Sequence, residues 1–206
     1  GKIIVLEDDN LTSPHFLKYM NDALNLYSNN QKVASISGYS YPITNKKKDY
    51  YFLRLADSWG WGTWKRSWDQ YEKDGNKLIK NLEKKNKFKE FNFDNSFDFI
   101  RILRNYCLKI NNSWSIRWYA SMYLKNKLTL FPPKSFIQNI GMDGSGVHAS
   151  NIEDYKSEII KEYIKPKKIK VKESKYHFKK MKLFFDKSEN KRTFLNTIKK
   201  KIKFIK

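Results

Sequence analysis

Apolar positions change period several times along the chain, and each change marks an element. Ile3-Ile4-Val5-Leu6 is an unbroken aliphatic run, the pattern of a short strand buried on both faces and, by that token, of a parallel sheet covered by helices. Phe16, Leu17, Met20, Ala23, Leu24 and Tyr27 then recur at spacings of three and four, which predicts an amphipathic helix with Ser13 as N-cap and Pro14 as first helical residue. Asn29-Asn30 ends that pattern, and Val33 to Gly38 returns to strand character. The three pieces predict a strand, helix, strand unit paired in parallel. Tyr51 to Leu55 reads as a further short strand. Helices are predicted over Lys77 to Glu90, Asp94 to Lys109 and, capped by Ser113, the Trp114 to Tyr123 stretch. Short extended pieces follow at Leu128 to Phe131 and Ser135 to Gln138.

Two segments break ordinary patterning. Trp59-Gly60-Trp61-Gly62-Thr63-Trp64 interleaves glycines, which permit tight turns, with indoles, whose flat apolar faces suit sugar rings and equally suit a core under a turn. Gly141-Met142-Asp143-Gly144-Ser145-Gly146-Val147-His148 is a glycine-rich loop whose backbone N–H groups suit a diphosphate, with His148 either a metal ligand or a polar surface residue.

The first strand runs into Glu7-Asp8-Asp9. Carboxylates at the C-terminal edge of such a strand sit where open α/β sheets bind ligands. Hard cations such as Mg²⁺ or Mn²⁺ take one or two carboxylates and leave other positions to phosphate oxygens, so the triplet is either a metal–diphosphate anchor or a solvated cap of the next helix.

Composition narrows the classes. With 206 residues, 40% hydrophobic and 16% aromatic, the chain has the means for one core plus an appendage, and is no disordered polymer. Its single cysteine, Cys107, forms no internal disulfide, and this points to a reducing, cytoplasmic setting. No apolar run approaches the roughly 20 residues needed to span a bilayer. Charge is uneven: 18 of the 42 Lys and Arg, against 4 of the 21 Asp and Glu, lie between 161 and 206, so +14 of the net +21 falls there. The expected division is a catalytic domain over 1–150 and a lysine-rich helical tail over 151–206. In that tail Phe194, Ile198, Ile202 and Ile205 recur at three and four among lysines, the pattern of a helix on an anionic membrane surface or of a terminal helix packed on the body.

Taken together, Ile-Val-Leu-Glu-Asp-Asp before Ser-Pro-His-Phe-Leu-Lys-Tyr-Met, then Gly-Trp-Gly-Thr-Trp, then Asn-Ile-Gly-Met-Asp-Gly-Ser-Gly-Val-His, resemble bacterial glycosyltransferases of the GT-A type, in the N-acetylglucosaminyltransferase I-like group and the wider glycosyltransferase family 2. The resemblance covers about residues 2 to 150. It implies an α/β fold, the C-terminal portion of a GT-A-like mixed sheet flanked by helices, with an N-terminal nucleotide-binding part lying outside this sequence. It implies a nucleotide-sugar donor, Mn²⁺ or Mg²⁺, and a glycan or lipid-linked acceptor in surface polysaccharide synthesis.

By position, the resemblance makes Asp9 the metal ligand with His148 as an added one, and places Glu7 and Asp8 nearer the ribose and sugar. Trp61 would border the donor-sugar and acceptor pocket, and Ser145 would lie in the loop near the phosphates. Relatives carry the general base as an Asp directly after a Trp at a helix start. Here Ser115 follows Trp114, so the base falls to Asp57, to Asp143 or to an acid elsewhere in the chain. The implied location is cytoplasmic, peripheral on the inner face of the plasma membrane through the C-terminal helix. The competing class, a basic nucleic-acid- or membrane-surface-binding protein without catalysis, rests on the pI near 9.8. Against nucleic acid, the body carries no nucleic-acid-binding module and the charge sits in the tail.

Overall fold

The computed structural model describes residues 1–43, 49–141 and 153–203, with side chains through residue 190. The elements in chain order are β1 (Lys2–Val5), β2 (Asn10–Thr12), α1 (Phe16–Leu26), β3 (Val33–Ser37), β4 (Tyr51–Leu53), β5 (Trp61–Trp64), α2 (Lys65–Trp68), α3 (Gly75–Lys84) and α4 (Phe88–Phe91). They continue as α5 (Phe99–Cys107), α6 (Trp114–Leu124), β6 (Leu128–Phe131), β7 (Ile137–Asn139) and α7 (Lys175–Lys203). The architecture is mixed α/β. Five strands form one sheet in the order β1-β5-β3-β6-β4, with β3 and β6 parallel and every other neighbouring pair antiparallel; β2 and β7 form a separate antiparallel pair.

The local signals explain most of these elements. Helix α1 begins at Phe16 rather than Pro14, because Ser13 is used one turn earlier: its Oγ accepts the His15 amide at 3.2 Å and its carbonyl accepts the Phe16 amide at 3.0 Å. Ser113 caps α6, accepting the Ile116 amide at 3.4 Å. Asp74 caps α3 by accepting from Asn76 and Lys77. The single helix expected over Lys77 to Glu90 is two, α3 and α4, broken where Asn86 turns into the left-handed region at φ 52°.

β1 departs from expectation. Ile3 is 58% and Leu6 45% exposed, and among the described residues β1 pairs only with β5, antiparallel, from Lys2 opposite Trp64 to Val5 opposite Trp61. It is an edge strand, neither buried on both faces nor joined in parallel to β3. The Trp-Gly-Thr-Trp segment has taken the place between them as β5, fully buried. Gly62 permits this insertion: a Cβ there would come within 2.9 Å of Met20 Cε and 3.0 Å of Leu24 Cδ1, where α1 lies on the sheet.

Two main cores flank the sheet. On one face α1 buries Phe16, Tyr19, Met20 and Leu24 against Ile36, Phe52 and Trp64. On the other, α3, α5 and α6 bury Leu78, Leu82, Ile100, Leu103 and Tyr119 against Tyr51, Leu53 and Phe131. Inside the sheet, the Ser35 and Thr129 hydroxyls pair at 2.7 Å, and Thr63 donates to the Ala34 carbonyl at 2.7 Å, so these buried polar groups keep partners.

The expected boundary near residue 150 is not a boundary of packing. The segment from 153 to 174 crosses both faces of the body: Tyr39 and Tyr50 donate their hydroxyls to the carbonyls of Tyr155 and Ile164, each at 2.7 Å. The Ile169 amide donates to the Tyr27 hydroxyl at 3.0 Å, and Arg54 donates to Glu173 at 3.0 Å. Ile160 joins the first core, while Met181 and Phe185 of α7 join the second. Each such buried side chain contributes roughly 1.5–3 kcal/mol, which holds this stretch against the body despite its lysines. The side chains of 191–206, including Phe194 and Ile198, lie outside the described residues.

Candidate functional site

β1 and β3 run in one direction and β5 runs against both, so the end of β1, the end of β3 and the start of β5 lie at the same edge of the sheet. Glu7-Asp8-Asp9 leaves β1 there as a tight turn in which the Asn10 amide donates to the Glu7 carbonyl at 3.2 Å, and the chain then enters β2. Asp57 arrives at the same edge from the loop ahead of β5. That loop is fixed by Gly60, whose φ of 56° and whose 2.5 Å approach of a built Cβ to Ile137 leave no room for a side chain.

The carboxylates feel one another. Burial, and then the charges of Asp9, Asp57 and Asp8, push Glu7 up to about 7. Asp57 is 8% exposed and burial pushes it up to about 6, against the stabilising amides of Trp59 and Ser58 and the Tyr41 hydroxyl. Its Oδ1 accepts the Trp59 amide at 2.9 Å; its Oδ2 is buried without a hydrogen-bond partner among the described residues. A buried carboxylate oxygen left unpaired is costly unless something else supplies a donor.

Asp57 lines a pocket of about 220 Å³. Tyr41 and Trp59 form one side, Phe97, Phe99 and Tyr119 another, and Ser113 and Ser115 stand at the start of α6. Tyr155 and Phe185, from the lysine-rich C-terminal stretch, complete it. A larger cleft of about 620 Å³ between Lys73 and Asn112 holds Asp74, but that carboxylate is already engaged with the amides at the start of α3. The smaller pocket has the unengaged group.

The sequence-predicted residues divide into three sets. Glu7, Asp8, Asp9 and Asp57 come together at one edge. Trp61 does not present a face to it: 2% exposed, it lies between Trp114 and Trp118, each with ring centroid 5.4 Å away, and serves as core. Asp143, Ser145 and His148 lie outside the described residues. The chain leading to them is placed, however: the Ile140 amide donates to the Asp9 carbonyl at 2.9 Å, and a Cβ on Gly141 would stand 2.6 Å from Asp9 Oδ2. Sequence reasoning missed Tyr41, Tyr155 and Phe185. The first sits in a polar loop and the other two in a lysine-rich stretch, where only isolated aromatics marked them.

Among the described residues, no three His, Cys, Asp or Glu side chains converge on a metal-sized site. The Glu7-to-Asp9 turn offers oxygen-only donors, and Glu7 is raised first by burial and then by the neighbouring charges, a donor set that suits a hard divalent ion sharing its coordination with phosphate oxygens rather than a closed protein cage. Among the same residues no helix is long and apolar enough to cross a membrane. No protein-family model matches the chain, and no curated protein matches it.

Proposed function

We propose that this chain carries the acceptor-side and metal-binding residues of a metal-dependent glycosyltransferase of GT-A type, moving a sugar from a nucleotide donor to a glycan or lipid-linked acceptor by inverting displacement. The observation that carries this reading is the meeting of Asp57, buried and part-unsatisfied beside an aromatic pocket, with the acidic turn at the end of β1. One side of the edge suits an uncharged sugar and the other a cation with phosphates.

In this mechanism Asp57 takes the proton of the acceptor hydroxyl as that oxygen attacks the anomeric carbon. Its raised affinity for a proton places it near neutrality, where a general base works best. It supplies from the β5 side the carboxylate that the resemblance places after the Trp of α6, where Ser115 stands and lines the same pocket. Asp9 would hold Mn²⁺ or Mg²⁺, which when bound supplies Lewis-acid stabilisation of the departing diphosphate. Asp8 and Glu7 would face the ribose and sugar. The outer edge of β1, unpaired among the described residues and with Ile3 and Leu6 exposed, offers a place where a nucleotide-binding part would add strands.

The basic C-terminal helix would rest on the anionic inner face of the plasma membrane, each lysine near the surface adding on the order of 1 kcal/mol. Flotation with phosphatidylserine vesicles tests this: loss of flotation when 191–206 are removed supports it, and unchanged flotation contradicts it.

The test of the transferase reading is a screen of nucleotide sugars with Mn²⁺ or Mg²⁺, using this chain and the same chain extended by whatever coding sequence lies upstream. Metal-dependent release of nucleoside diphosphate supports it. Nucleotide-sugar turnover absent in both, or indifferent to chelation, contradicts it.

A further inference from the structure

We infer that the pocket at Asp57 receives one neutral, hydroxyl-bearing sugar ring by its apolar face and discriminates against acidic sugars, which makes the accepting unit a neutral hexose or N-acetylhexosamine. The inference rests on the transferase reading above and names the acceptor that it leaves open.

Charge carries the first step. No Lys, Arg or His lines the pocket among the described residues, so a uronate carboxylate or a sugar phosphate entering it would find no counter-ion and would meet Asp57 instead. Shape carries the second. Trp59, Phe97, Phe99 and Tyr119 give flat apolar surface of the kind that covers the C–H face of a pyranose. A volume of about 220 Å³ lies below the roughly 300 Å³ at which drug-sized pockets begin, so a single ring is the matching size.

Hydrogen bonding carries the third step. Asp57 Oδ2 has no hydrogen-bond partner of ordinary geometry among the described residues, although the Tyr41 hydroxyl lies close enough to favour the charged carboxylate, and a sugar hydroxyl is a neutral donor able to reach a buried oxygen. The Ser113 and Ser115 hydroxyls, 3.1 Å apart, add a pair that can donate or accept to suit the ring's other substituents. A phosphate-bearing ligand would need the opposite set of groups.

The experiment is saturation-transfer NMR on the full chain without nucleotide or metal. The probes are the methyl glycosides of glucose, galactose and N-acetylglucosamine, and the methyl glycoside of glucuronic acid. At least one neutral glycoside is expected to bind, with the glucuronide about tenfold or more weaker. Asp57→Asn should narrow that gap to within about threefold while a neutral glycoside still binds. Ser115→Phe, which fills the pocket, should abolish the signal; if its amide spectrum shows misfolding, Asp57→Asn alone decides.

No signal from any neutral glycoside, equal binding of the glucuronide, an unchanged gap in Asp57→Asn, or full binding by a folded Ser115→Phe overturns the inference. Because no donor is present, the two readings fail separately. Neutral-glycoside binding in a chain that turns over no nucleotide sugar leaves the pocket assigned and removes the transferase. Turnover without that discrimination removes only the pocket assignment.

Discussion

The Asp57 loop and the Glu7-to-Asp9 turn lie at the same edge of one sheet and carry the same chemical group, yet they place it in opposite surroundings. Asp57 is walled by Tyr41, Trp59 and Tyr119, accepts the Trp59 amide on Oδ1, and has its Oδ2 without a hydrogen-bond partner among the described residues. Asp8 is exposed, Asp9 is half-buried and shares its oxygen with the Asn10 amide group at 2.8 Å, and Glu7 between them and Asp57 is pushed toward its neutral form. The difference teaches how one residue type can divide two tasks. Burial raises both Asp57 and Glu7; what separates them is that Asp57 sits among aromatic rings, whereas Glu7 sits beside the like charges of Asp9 and Asp8, a cluster that gains by binding a cation.

The largest expected effect separates those tasks. Asp57→Asn should lower sugar transfer about 10²–10⁴-fold while leaving thermal stability at pH 8 unchanged or higher, since it removes a penalised buried charge. A loss of activity tracking a loss of folding would instead make Asp57 a structural residue. Next is Gly60→Ala, which forces a side chain onto a φ of 56° and against Ile137. It should cost about 1–3 kcal/mol in denaturant melts and loosen the Asp57 loop without touching the acidic turn.

Smaller is a pH effect with a defined sign. Glu7 rises from 4.5 to about 7 and Asp57 from 3.8 to about 6, so between about pH 4 and pH 7 the folded chain keeps protons that the unfolded chain has released. Their contribution is therefore most favourable at low pH and falls as pH rises through that window. The melting temperature of Glu7→Gln minus that of the wild type should climb from pH 4 to pH 7 and then level; parallel curves would contradict the shift. Smallest is Asp8→Asn, at an exposed position, where stability should move by less than about 0.5 kcal/mol. A larger change there would mean that the turn is held by its charges rather than by its backbone.

Local signals made much of the fold legible. The three-and-four spacing placed α1, Ser113 marked the start of α6, and the apolar run at Val33 marked a fully buried β3. What remained hidden depends on partners far apart in sequence. An aliphatic run such as Ile3 to Leu6 reads as a central strand, and only pairing with Trp61 to Trp64 makes it an edge. The same pairing turns Trp61 from a ligand platform into core. Lysines masked the C-terminal stretch: Tyr155, Ile160 and Phe185 are too widely spaced to announce a strand or a core, yet the tyrosine hydroxyls of Tyr39 and Tyr50 bind its carbonyls across the body. The candidate site was legible as carboxylates and illegible as a pocket, because its walls come from six separate segments.

The division of labour between the two turns is tested most directly by Mn²⁺ binding in the presence of a nucleoside diphosphate, read by electron paramagnetic resonance on the wild type, Asp9→Asn and Asp57→Asn. The account predicts that Asp9→Asn weakens the ion at least about tenfold, while Asp57→Asn holds it as the wild type does. An ion held equally well by the wild type and Asp9→Asn, or lost on changing Asp57 alone, would contradict it.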